Sequence, residues 1–163
     1  MAEELLISKS NDKNVIYQEL LPQLWELVKS ETDVIANMAN ISAGLHHTFG
    51  WLWVGFYLVR GEELVLGPFQ GPMACSRISY GKGVCGSAWQ KRQSILVPDV
   101  EKFPGHIACS GLSVSEIVVP VFDSQSNIIA VLDVDSERYQ ILDETDIHYL
   151  EKIALWFAGK SEF

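Results

Sequence analysis

The chain has 163 residues, 48% of them apolar and 20% charged, ordinary usage for a globular chain long enough to bury a core without disulfide staples. Lys and Arg number 12 against 21 Asp and Glu, a net charge of −9. That excludes a general nucleic-acid binder and a docker on anionic membranes, since both need a basic face. Three Cys are too few, and odd in number, for a disulfide scaffold. Met1-Ala2-Glu3-Glu4-Leu5-Leu6-Ile7 has no basic leader segment and no apolar run approaches the ~20 residues of a membrane span, so a cytoplasmic chain with reduced thiols is expected.

Residues 13–48 read as two helices. Val15, Ile16, Leu20, Leu21, Leu24, Leu27 and Val28 share one face, interrupted by Pro22, which begins a turn or kinks the segment. Thr32 and Asp33 are candidate caps for a second helix carrying Val34, Met38, Ile41 and Leu45, and Gly50 closes it after His46-His47. Residues 51–135 read as the sheet core. The first strand, residues 51–59, is aromatic and β-branched, with Trp51 and Trp53 on one face and Trp53 alternating with Gly55 and Tyr57. Leu64-Val65-Leu66 is its hairpin partner across Gly61, and Gly67-Pro68-Phe69-Gln70-Gly71-Pro72 is a loop or distorted strand, because Pro cannot donate to a ladder. Ile78 and Tyr80 belong to a third extended piece; Gly81-Lys82-Gly83 turns into a short helix from Val84 to Lys91, and residues 94–97 form a strand.

Residues 98–115 make an irregular stretch whose length itself points to function. Two strongly apolar strands follow at 116–122 and 128–134, joined by the turn Asp123-Ser124-Gln125-Ser126-Asn127. Asp143 caps a last helix within 143–158 whose inner face is Ile147, Leu150, Ile153, Ala154 and Phe157. Hairpin-length connections predict a single α+β domain over 1–163, an antiparallel sheet with helices gathered on one face.

Three constellations carry chemistry. Gly81-Lys82-Gly83-Val84-Cys85-Gly86 satisfies G-x-G-x-x-G, but the strand before it is short and polar, the helix after it has about two turns, and no alternating strand–helix units follow. The glycines read better as a sharp turn at a helix start, where free N–H groups favour an anion, either a ligand carboxylate or the Cys85 thiolate. Cys75, Cys85 and Cys109, with His106, offer a Cys₃His zinc set, but structural zinc favours Cys pairs two to four residues apart and none exists here. A Cys–His hydrolase with His106, His46, His47 or His148 as base is open on the sequence alone. Glu116 opens one apolar strand, and Asp133 and Asp135 lie on one side of the next; if the two strands pair, three acids crowd one sheet end and call for a metal or an ammonium group. An aromatic such as Trp53 beside acids also suits a cation or a methyl group.

Trp53-Val54-Gly55-Phe56-Tyr57-Leu58, Leu64-Val65-Leu66-Gly67-Pro68-Phe69-Gln70-Gly71, the glycine motif, Gly105-His106-Ile107-Ala108-Cys109, Ser115-Glu116-Ile117-Val118-Val119-Pro120 and Val131-Leu132-Asp133-Val134-Asp135-Ser136 together resemble the free methionine-(R)-sulfoxide reductases, GAF-domain proteins, from about Gln18 to Phe157. The resemblance implies a GAF fold, an antiparallel sheet of about six strands flanked by helices, and a homodimer. It implies Cys109 as nucleophile, Cys75 or Cys85 as resolving thiol, Glu116, Asp133 and Asp135 as holders of the substrate ammonium, and Trp53 and Tyr57 as walls around its methyl group. Glu116 is also the first choice for proton donor, because crowded acids raise one another's pKa. No bound cofactor or metal is implied; thioredoxin is the expected external reductant and free methionine-(R)-sulfoxide the substrate. Ser110, where relatives often carry Asp, and the apolar Gly111-Leu112-Ser113-Val114 depart from the family pattern. The alternative is a GAF sensor that binds a small ligand without catalysis.

Overall fold

In the computed structural model, which describes residues 4–159, the sheet faces are set by strict alternation along the central strands. Two helices come first: α1 (Lys13–Val28) and α2 (Val34–Phe49). The strands β1 (Trp53–Arg60), β2 (Glu63–Gln70) and β3 (Arg77–Ser79) follow, then α3 (Gly83–Lys91) and β4 (Ile95–Val97). A 3₁₀ turn at Val100–Lys102 interrupts the irregular stretch before β5 (Ser115–Phe122) and β6 (Ile128–Ser136), and α4 (Glu144–Leu155) closes the order. The strands form one sheet in the order β3-β2-β1-β6-β5-β4, with every pairing antiparallel.

Val54 and Phe56 of β1, Ile117, Val119 and Val121 of β5, and Ala130, Leu132 and Val134 of β6 point to one side. There they meet Tyr17, Leu20, Leu21, Leu24 and Val28 of α1, Met38, Ile41 and Leu45 of α2, and Leu150 and Ile153 of α4. Trp53, Tyr57, Val118 and Val131 point to the other side, against Val84, Cys85 and Ala88 of α3 and Val100 of the long loop. The helices are therefore not gathered on one face: α3 and the loop cover the second, which leaves β5 and β6 buried on both sides.

Local chemistry explains most boundaries. Asp33 caps α2 by accepting from Ile35 N and Ala36 N, and Gly50 ends it at φ 62°. Asp143 caps α4 in a reciprocal capping box with Asp146. Pro22 neither starts nor ends α1: it sits inside the helix on the solvent side, while the buried Leu20, Leu21 and Leu24 hold the segment to the sheet. Val15 and Leu27, expected on the buried face, are 36% and 39% exposed, and Tyr17 takes the inner position instead. β2 runs through Pro68 to Gln70, with Gly67 and Pro68 opposing Phe56 alone in a bulge that accommodates the missing donor. Trp51 and Trp53 do not share a face. Trp51 precedes the strand and stacks on Phe49 in the helical layer (ring centroids 4.3 Å apart), whereas Trp53 faces α3. Among the described residues no helix is long and apolar enough to cross a membrane.

Candidate active site

Sheet pairing brings the acids together. In the β5–β6 register Glu116 lies opposite Asp135 and Val118 opposite Asp133; in β1–β6, Trp53 lies opposite Asp135 and Gly55 opposite Asp133. Because the strand repeat is two residues, all three carboxylates and Trp53 and Tyr57 emerge on the α3 side. They line one pocket with Cys85, His106, Cys109 and Ser113, roofed by Met73, Ala74 and Ile107. At Gly55 a Cβ would come within 2.9 Å of the Phe69 backbone, so glycine is what lets β1 and β2 close behind the Trp53 ring. Trp53 stacks between Tyr57 (5.8 Å) and Phe69 (5.2 Å), which fixes that wall.

Glu116 and Asp133 are buried and Asp135 half-buried, with few partners. Burial first, then Asp135, pushes the Glu116 carboxyl well above its ordinary range. Asp133 is raised by burial and by the charges of Asp135 and Glu116. Asp135 is pushed up to about 6 by burial, against the lowering effect of the Ser113 hydroxyl, which donates to it. Asp133 Oδ1 and Trp53 Nε1 are buried without a hydrogen-bond partner. The basic group facing the cluster is His106, with Nε2 3.6 Å from Glu116 Oε2. Orphaned buried polar atoms are costly unless a ligand satisfies them, so this pocket is built to be filled.

Two of the three thiols are joined. Cys75 and Cys109, 34 residues apart, form a disulfide beside the pocket that Cys109 lines, which removes both sulfurs from the Cys₃His set. Tyr57 Oη donates to the Cys75 carbonyl at 3.0 Å, tying the aromatic wall to the loop that carries one end of the bond. Cys85 stays free and buried. Its thiol is pushed well above the usual value by burial, then by Asp133 and Glu116, so no stabilised thiolate forms at the start of α3. One turn of helix dipole is outweighed by desolvation and nearby negative charge.

The glycine motif serves the turn. Gly81 and Gly83 adopt φ of 72° and 60°, and a Cβ at Gly86 would lie 2.5 Å from Ser79 O. Gly83 and Val84 bring the start of α3 to the pocket wall. His46, His47 and His148 belong to α2 and α4 and line no part of the pocket. The apolar loop segment has a simple account: Leu112 is 60% exposed, while Val114 bonds to Ser136 O and Val100 N, extending the edge of the sheet. Ser113, which holds Asp135, had no signal in the sequence beyond its place next to a strand.

A GAF-domain family profile matches residues 28–155. With the six-stranded sheet and its flanking helices, this shows that the chain belongs to the GAF family. "GAF domain-containing protein A" of Dictyostelium discoideum is 58% identical over 154 residues, covering 94% of this chain and 96% of the relative. The free methionine-R-sulfoxide reductase of Saccharomyces cerevisiae is 38% identical over 161 residues, covering 94% and 89%. The crystal structure of free methionine-R-sulfoxide reductase from Neisseria meningitidis in complex with its substrate superposes with a TM-score of 0.93 at 52% identity, covering 99% of this chain and 96% of that one. Within the GAF family the chain falls with the free methionine-R-sulfoxide reductases, an oxidoreductase group.

Proposed function

We propose that this chain reduces free L-methionine-(R)-sulfoxide, with Cys109 as the attacking thiol and Cys75 as the resolving one. The observation that carries the reading is a single pocket lined both by three underpartnered acids, Glu116 and Asp133 buried and Asp135 half-buried, and by Cys109 of the Cys75–Cys109 bond. Glu116, Asp133 and Asp135 receive the substrate ammonium, whose three N–H donors suit acceptors such as the orphaned Asp133 Oδ1. The N–H groups at the start of α3 suit the α-carboxylate, and Trp53 and Tyr57 enclose the methyl group. A peptide-bound sulfoxide has spent both its amine and its carboxylate in amide bonds and fits neither end.

Cys109 sulfur attacks the sulfoxide sulfur, and Glu116, whose carboxyl is raised well above its ordinary range by burial and by Asp135, donates to the departing oxygen. Oxygen passes to Cys109, leaving methionine and a sulfenic acid. The Cys75 thiol then displaces hydroxide as water, forming the Cys75–Cys109 disulfide. Both of these cysteines are half-buried whereas Cys85 is buried, which favours Cys75 over Cys85 as the partner and leaves the bond open to an external dithiol of the thioredoxin kind. A cytoplasmic setting would keep that dithiol reduced, and a homodimer remains part of the proposal.

The test maps each cysteine by mass spectrometry after one equivalent of sulfoxide. The expected product is one methionine per chain and a Cys75–Cys109 bond. Cys109→Ser should yield no methionine, whereas Cys75→Ser should yield one equivalent and then stall. Turnover by Cys109→Ser would overturn the assignment, and binding without oxidation would return the chain to the non-catalytic ligand-sensor reading.

A further inference from the structure

Cys85 is the buried thiol that the reaction above does not use. An ammonium group asks for oxygen acceptors; it has no need of sulfur. Yet Cys85 Sγ and carboxylate oxygens of Glu116 and Asp133 lie within 4.8 Å of one another, all buried, with Cys85 Sγ 3.9 Å from Glu116 Oε1. A tetrahedral Zn²⁺ would hold one sulfur and two oxygens about 3.3–3.7 Å apart, so the three ligand atoms must draw together on binding. Asp133 is 6% exposed, and its Oδ1 lacks any partner. Among the described residues no Lys or Arg pairs with the three acids, and His106 closes the remaining side.

We propose that Cys85, Glu116 and Asp133 form a binding site for a borderline-soft divalent cation of the Zn²⁺ type, and that its occupation shuts the substrate ammonium out of the pocket. Three donors with a fourth position open to water or His106 match the ligand number of an open zinc site. The metal displaces the Cys85 proton together with any proton held on Glu116 or Asp133, and its charge meets the same electrostatic need as the ammonium. Metal binding stands on these residues alone, whereas the inhibitory consequence rests on the proposed sulfoxide reaction.

The experiment uses protein carrying the Cys75–Cys109 disulfide, in which Cys85 is the remaining thiol. Zn²⁺ is titrated against a chromophoric chelator, and Co²⁺ serves as the spectroscopic probe. One Zn²⁺ per chain and a near-ultraviolet cobalt–thiolate band are expected. Cys85→Ser should lose the band and weaken Zn²⁺ binding by about 10–100-fold, and Asp133→Asn should weaken binding similarly while keeping the band. The parent's cobalt spectrum needs no variant, so misfolding of either variant does not shelter the proposal. No stoichiometric metal on the oxidised parent, cobalt without the thiolate band, or a folded Cys85→Ser chain that binds like the parent would each overturn it. In single turnover by reduced enzyme, one equivalent of Zn²⁺ should block methionine formation by the parent and spare Cys85→Ser; equal inhibition of both would overturn the inhibitory role. Absence of turnover with a chelator present would count against the sulfoxide reaction and leave the metal titration to stand or fall separately.

Discussion

Both faces of the sheet bury carboxylates, and they treat them in opposite ways. On the helical face Asp146 is fully buried, yet Tyr17 Oη donates to it at 2.9 Å, Asp143 N at 2.9 Å, and the Lys13 ammonium pairs with it. Burial pushes its pKa up, and Lys13, Asp143 N and Tyr17 pull it back. That carboxylate stitches α1 to α4 and starts the last helix. On the α3 face Glu116 and Asp133 are buried and Asp135 half-buried, with a thiol, a serine hydroxyl and one distant imidazole for company. A buried charge with its partners supplied by the chain is structural; one left short of partners is held ready for a ligand.

The contrast is broken most severely by removing the proton donor on the α3 face. Glu116→Gln should lower kcat/KM for free methionine-R-sulfoxide by about 10²–10⁴-fold, the range for losing a general acid, with the fold intact by circular dichroism. An unchanged kcat/KM would remove Glu116 from the reaction. On the helical face the effect should fall on stability instead. Asp146→Ala orphans the buried Tyr17 hydroxyl and removes the capping box with Asp143, while Lys13 keeps Asp143 and the Ile141 carbonyl, so denaturant unfolding should show a loss of about 2–4 kcal/mol with KM unchanged.

The smallest effect has the opposite sign. Asp135 holds its proton up to about 6 in the folded chain, against an ordinary value of 3.8, and Asp133 and Glu116 are raised too. The native state thus binds more protons than the unfolded chain across this window, so the cluster's contribution to stability is present at low pH and is lost as pH rises through the native pKa values. Asp133→Asn should therefore raise unfolding free energy by about 1–2 kcal/mol at pH 8 and by less at pH 5, while weakening substrate binding. Destabilisation at pH 8 would show that the cluster is not held at a cost.

Much of this was legible along the chain because it is local. Asp33, Gly50 and Asp143 punctuate helices through their own backbone neighbours, and the period-two patterns of β5 and β6 place Glu116, Asp133 and Asp135 on one side once the strands pair. Misreadings arose where long-range contacts override local ones. Trp51 looked like a strand residue two before Trp53, but the strand begins at Trp53 and Trp51 turns to Phe49. Pro22 read as a turn start or a kink; it starts no turn, because buried leucines on either side keep α1 continuous through it.

By itself, then, the sequence determined the element order, the caps, the α+β class and the identity of the chemical groups, since each depends on residues within a few positions of one another. Tertiary structure alone decided which cysteines meet, that Cys85 is a protonated thiol among acids, that Ser113 holds Asp135, and that α3 lies across the sheet from the other helices. Those outcomes depend on burial and on distances between segments tens of residues apart. Desolvation and pairing across a folded core set them, and no spacing along the chain encodes either directly.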